Sequence, residues 1–214
     1  VNQRPVPIHF ISPRQINFLM PASAPEEGSV EVWVMRASTG QILAAGTLRM
    51  DVVSPGLLYT DRFVVGNDTL FQVAALHQEP GDKRTLNWRS PGRVGDLDAR
   101  RARVGDVVEI FATGFGRTVS GAPADGEPAP GPLPTNVKPR VLLNSSWLDD
   151  ADILYSGLAP GLISVWQINI RIPDKRFVIL GNNRIVVSFY DRVSNRSGNP
   201  DNPLRLNTTI AIQP

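Results

Sequence analysis

Three observations predict an all-β chain folded as a sandwich of sheets. Apolar and polar residues alternate with period 2 in many short runs, as in strands that bury one face. The 19 Pro and 18 Gly are spread along the chain, which suits short strands joined by turns and suits long helices poorly. A seven-residue strand beginning at Gln15 recurs, in recognisable form, at Gln167.

The alternating runs come in two sets. In the first, the valines of Val30-Glu31-Val32-Trp33-Val34 share one face, and a Ser38-Thr39-Gly40 turn follows. Leu48, Met50 and Val52 then alternate against Thr47, Arg49 and Asp51, so this region reads as a hairpin or meander. The second set opens at Val107–Phe111, after the turn signal Val104-Gly105-Asp106. It continues through Trp166–Ile172, Arg184–Tyr190 and Leu206–Ile212, punctuated by Pro173, Gly181-Asn182-Asn183 and Ser197-Gly198-Asn199-Pro200. Between them, 114–139 is rich in Pro and Gly and reads as a long surface loop, either extended or partly mobile.

The repeat aligns Gln15-Ile16-Asn17-Phe18-Leu19-Met20-Pro21 with Gln167-Ile168-Asn169-Ile170-Arg171-Ile172-Pro173. Two copies of one β unit explain it most economically. Alternation turns Ile16, Phe18 and Met20 inward in the first copy and Ile168, Ile170 and Ile172 inward in the second. Gln and Asn then face outward, where their amides can tie the strand to a neighbour.

Five segments carry a resemblance: Val1–Pro21, Ser54–Leu58, Val73–Gln78, Gly105–Gly116 and Tyr155–Leu162 running into the second Gln-Ile-Asn strand. In this order they are similar to the uncharacterised paired C-terminal domains of secreted acidobacterial proteins of the Solibacter type, which are related to IPT/TIG immunoglobulin-like domains. The resemblance implies two tandem immunoglobulin-like β-sandwich modules on a secreted protein, and it implies no activity. On this reading, residues 1–95 hold the first module with a connecting hairpin, and 96–214 hold the second with the 114–139 loop.

One departure from the family pattern matters. A strand unit like Gly105–Gly116 usually precedes the position of Val1, and here the first module starts without it. An immunoglobulin-like sandwich needs about seven strands to cover both inner faces, so a module without its first strands exposes an edge. Two explanations stand: a trimmed piece of a longer protein, or a module completed by a neighbour's strand, as in donor-strand complementation. The second makes Val1, Val6, Ile8 and Phe10 the expected assembly edge.

Composition narrows the function further. The net charge is only +2, and the Arg100, Arg101, Arg103 cluster has Asp96, Asp98 and Asp106 around it, so a nucleic-acid partner is not expected. There is no Cys, and no apolar run approaches the ~18 residues of a membrane span. His9 and His77 both fall within strands, and no nucleophile elbow or zinc motif is present. Asp149, Asp150 and Asp152 lack the spacing of a calcium loop and read as a solvated turn. No enzyme, cofactor or metal is expected. Trp166 belongs to the inward series, whereas Trp88 and Trp147 sit beside turn or polar residues and are candidates for stacking on sugar rings. Asn67, Asn144, Asn195 and Asn207 open Asn-x-Ser/Thr triplets and are candidate glycosylation sites. The leading expectation is therefore an extracellular structural subunit of a stalk or filament that self-associates through an open edge. The alternative is a module that binds a polysaccharide or a surface.

Overall fold

A computed structural model of the chain describes residues 1–118, 121–174, 178–194 and 207–213. The chain is all-β, with two short 3-10 turns at Pro80–Asp82 and Asp150–Asp152. Its strands begin with β1 (Ile8–Ser12), β2 (Gln15–Phe18), β3 (Gly28–Met35) and β4 (Ile42–Met50). The middle of the chain supplies β5 (Gly56–Leu57), β6 (Tyr59–Val65), β7 (Asp68–Val73), β8 (Ala75–Gln78), β9 (Arg84–Asn87), β10 (Gly92–Val94) and β11 (Leu97–Arg100). After it come β12 (Ala102–Arg103), β13 (Val107–Thr113), β14 (Leu133–Pro134), β15 (Arg140–Leu143) and β16 (Ser146–Trp147). The last five are β17 (Ile153–Leu158), β18 (Trp166–Arg171), β19 (Gly181–Phe189), β20 (Arg192–Val193) and β21 (Asn207–Gln213).

Two large sheets form the body. One runs β10-β11-β9-β8-β13-β18-β17-β14, with β5 also on β13. The other runs β16-β15-β19-β21-β7-β6, with β12 on β21 and β20 on β19. Apolar residues from both sheets form one core, including Val73, Val108, Ile110, Ile168, Ile170, Ile185, Val187, Ile210 and Ile212. The inward series is as alternation predicts: Trp166, Ile168 and Ile170 on β18, and Ile172 just beyond it, are all buried in this core.

The sheets do not divide at 95/96. β8 pairs with β13, and β7 pairs in parallel with β21, so strands from both sides of that position share each sheet. Pairing breaks instead after β4. β1 pairs only with β2, and β3 only with β4, among the described residues. The 114–139 loop packs against the body: Ala129, Phe115 and Thr135 are buried in it. It also holds the N-terminal region, because Asp125 accepts a hydrogen bond from the Ala22 amide at 3.0 Å.

Buried polar groups join the two layers. Asn87, on β9, donates to the Ala211 carbonyl and accepts from the Ala211 amide, both at 2.9 Å. Its side chain thus acts as a one-residue strand partner for β21, and Gln72 donates to it at 3.0 Å.

Candidate functional site: an open half-sandwich

The seven-residue repeat is the visible part of a much longer structural duplication. In the second copy, Gly157 pairs with Gln167, Ser156 with Ile168, Tyr155 with Asn169 and Ile153 with Ile170, with a bulge that skips Leu154. In the first, Ser12 pairs with Gln15, Ile11 with Ile16, Phe10 with Asn17 and Ile8 with Phe18, with a bulge that skips His9. The same hairpin has been built twice, bulge included. The amide bonds also match, although Gln15 and Asn17 are exposed as alternation predicts whereas Gln167 is buried beneath its neighbours: Gln15 donates to Asn17 at 2.6 Å, and Gln167 to Asn169 at 2.7 Å.

The match extends to both sides. Gly28 starts β3 at φ 97° and Gly181 starts β19 at φ 102°, a region open to glycine at little cost. Gly28 pairs with Met50 and Glu31 with Thr47, as Gly181 pairs with Ile212 and Arg184 with Thr209. Ahead of the hairpins, Asn2 and Asn144 sit at φ 45° and 55°. Asn2 donates its amide to the Glu31 carbonyl and accepts the Glu31 amide at Oδ1, both at 2.9 Å. Asn144 does the same with Arg184, at 2.8 and 3.0 Å. Residues 1–50 therefore repeat the half of the body built from β17, β18, β19 and β21.

What differs is cover. In the body, β13 lies on the free side of β18 and β15 on the free side of β19. Neither has a counterpart beside β2 or β3 among the described residues. The inner face is correspondingly more open, although Val30 near the start of β3 is buried. Ile8 is 58% exposed where Ile153 is 2%, and Leu48 is 43% exposed where Ile210 is 0%. Ile16, Phe18, Val32 and Val34 are half-buried, whereas Ile168, Ile170, Ile185 and Val187 are fully enclosed. Of the expected edge residues, Ile8 and Phe10 are exposed on β1, while Val6 is half-buried and Val1 is buried beside the Asn2 clamp. Sequence reasoning missed β2 and β3 as the strands with bare edges. The Gln-Ile-Asn repeat was the signal, since it already identified β2 with a strand flanked on both sides.

The remaining candidates do not converge. Trp88, at the end of β9, is half-buried with the Arg89 guanidinium 5.3 Å from its ring. Trp147, on β16 in the other sheet, is 42% exposed and carries Arg140 at 4.1 Å. Asn67 is exposed in the β6–β7 turn; Asn207 is half-buried at the start of β21. Asn144 spends its amide group on Asn183 at 2.8 Å. Asn195 lies outside the described residues.

His77 is fully enclosed. Its Nε2 lies 3.1 Å from the Arg100 carbonyl and its Nδ1 3.8 Å from Asp106, which also takes Arg100 at 2.5 Å. Burial pushes the His77 pKa down. A ring sealed from solvent and tied to backbone is a cross-link within the fold. Arg100 also binds Glu79 at 2.8 Å and holds that carboxyl below its ordinary range. The basic cluster of the sequence is thus partly consumed by ion pairs. Among the described residues, no three His, Cys, Asp or Glu side chains come together to hold a metal, and no helix is long and apolar enough to cross a membrane. A cleft of about 230 Å³ lies between the half-sandwich and the body, bordered by Glu26, Val52, Arg117 and Tyr190 over Phe115 and Phe189, with Glu26 and Arg117 paired across it.

Comparison with protein-family models, curated proteins and solved structures found no match.

Proposed function

We propose that the chain is a non-enzymatic structural protein working outside the cell, a β-sandwich subunit of a surface stalk or filament. The observation that carries this reading is the half-sandwich at residues 1–50, which repeats a fully covered half of the same chain and, among the described residues, leaves apolar side chains and two strand edges without neighbours. Bare edges and apolar faces are the usual means by which β proteins join one another. A contact made by a surface at one end of a subunit with a different surface on the next is head-to-tail, and it propagates when it does not close. The similarity to paired domains of secreted proteins supports an extracellular setting.

Negative-stain electron microscopy of cell-derived material tests the reading. Regular filaments with one subunit per repeat are expected, together with loss of assembly when residues 1–20 are deleted. Isolated particles that persist at high concentration would refute it. They would favour the polysaccharide-binding alternative, which rests on the exposed ring of Trp147.

A further inference from the structure

We infer that the cleft over Phe115 and Phe189 binds one ring of a neutral saccharide, with Tyr190 and the Glu26–Arg117 pair as its recognition groups. The inference goes beyond assembly, uses no strand edge, and concerns a site apart from the exposed ring of Trp147.

The cleft is preformed, because the chain leading from β4 into β5 is clasped onto the body. The Ser54 amide donates to the Gly114 carbonyl at 2.8 Å. Gly114 sits at φ 76°, and a Cβ there would collide with the Ser54 carbonyl. Val53 is buried in the core of the body, and Arg192 holds Asp51 at 2.8 Å. The wall made by Val52 is therefore fixed against the floor, where the Phe115 and Phe189 rings lie 4.6 Å apart.

Tyr190 is the strongest pointer to a ligand. It takes the first position of the two-residue turn between β19 and β20, next to the pair Phe189–Arg192. Its φ of 49° suits Gly or Asn in such turns and is uncommon for an aromatic residue. The residue is 63% exposed, so burial does not offset the strain. What the strained turn achieves is a large planar side chain on the border of the cleft. Backbone strain of this kind collects at ligand clamps, and an aromatic face is a platform for the apolar face of a sugar ring.

The polar groups select a neutral ligand. Glu26 and Arg117 are paired across the cleft, so their charges compensate while offering carboxylate acceptors and guanidinium donors together. An anion would meet Glu26 and a cation would meet Arg117, whereas hydroxyls can use both. Asn136, tied to Arg117 by a backbone bond of 3.3 Å, is exposed and adds an amide to the same border. Size decides how much is bound. About 230 Å³ is below the roughly 300–1,000 Å³ of pockets that enclose drug-sized ligands, so one ring fits and the next lies outside.

The full chain is titrated with the methyl glycosides of glucose, galactose and mannose and followed by NMR of the backbone amides. At least one should shift Gly116, Arg117 and Asn136 selectively. Its Kd should be on the order of 1 mM, the value that ordinary ligand efficiency gives for about thirteen non-hydrogen atoms. The methyl glucuronoside anion should bind more weakly than the neutral glucoside. Tyr190→Asn should melt no lower than the unchanged chain, because Asn accepts that conformation, yet bind at least about tenfold more weakly. Asn136→Ala, on the exposed border, should weaken binding and leave the melt unchanged. The inference is overturned by no selective shift at about 100 mM of any of the three, by tighter binding of the glucuronoside, or by undiminished binding in Tyr190→Asn. A lower melting point for Tyr190→Asn would do the same, since the ring would then serve the turn. Filaments that ignore all three glycosides would leave the assembly reading standing and remove this site. Isolated particles that bind one of them would do the reverse.

Discussion

Asn2 and Asn144 make the same pair of backbone bonds from the same left-handed conformation, one on an open ribbon and one over a packed core. The hairpins that follow them share pairing, bulge and Gln–Asn amide bond. Local structure is therefore equal in the two copies, and what separates them is the number of layers and neighbours. A hairpin's conformation is set by its own turn, bulge and caps. Its stability comes from what it packs on, and an isolated two-stranded ribbon is marginal in water.

The comparison can be broken most sharply in the core. Ile168→Ala should destabilise the body by about 2–5 kcal/mol in a denaturant melt, whereas Ile16→Ala should change it by less than about 1 kcal/mol. Equal losses would mean that the first copy is covered as fully as the second. Next in size, Asn144→Ala should cost about 1–3 kcal/mol by leaving the Arg184 amide without its side-chain acceptor, against about 0.5–1 kcal/mol for Asn2→Ala on the exposed ribbon. Thermal unfolding of the two variants measures the difference.

Acid sharpens the contrast from another side, because His77 serves only the body. Its folded pKa lies below the unfolded value of about 6.5, so the unfolded chain binds the extra proton first. Body stability should be full above about pH 6.5 and fall as pH drops below it toward the depressed folded pKa. His77→Gln should flatten this slope, while hydrogen exchange in β3 and β4 should be indifferent to it. The smallest effect is expected at the paired glycines. Gly28→Ala and Gly181→Ala should each cost about 1 kcal/mol of local strain, because both hold positive φ and neither added methyl meets an atom within 4 Å. The melt would register the change at Gly181 and barely that at Gly28.

Much of this was legible in the sequence, for definite reasons. β3, β13, β18 and β19 follow from period-2 alternation, since each buries one face or leads into the core. The Gln-Ile-Asn repeat exposed the duplication. Its full extent stayed hidden because the copies share backbone requirements more than side chains: outside that segment, the clearest equal residues are an asparagine at φ near 50° and a glycine near 100°. The parallel pairings of β21 with β7 and β12 were also out of reach, because alternation says which face a strand buries and not which strand lies beside it. The same limit explains the division expected at 95/96, which the sheets cross. Of the two tryptophans named as a ligand handle, Trp88 directly follows β9 of one sheet and Trp147 lies on β16 of the other, a separation that spacing along the chain does not encode.

The parallel placement of β21 has a mechanical consequence. Ala102 and Arg103 run alongside Ile212 and Gln213, and Leu70 to Gln72 alongside Asn207 to Thr209, all pointing the same way. A pull on the C-terminal end of β21, resisted from the N-terminal side of β12 and β7, slides these strands past one another. Their hydrogen bonds, and the Asn87 clamp on Ala211, are then loaded together, whereas a hairpin pulled at its open end gives way one bond at a time. Such a sandwich is fitted to carry tension along the chain.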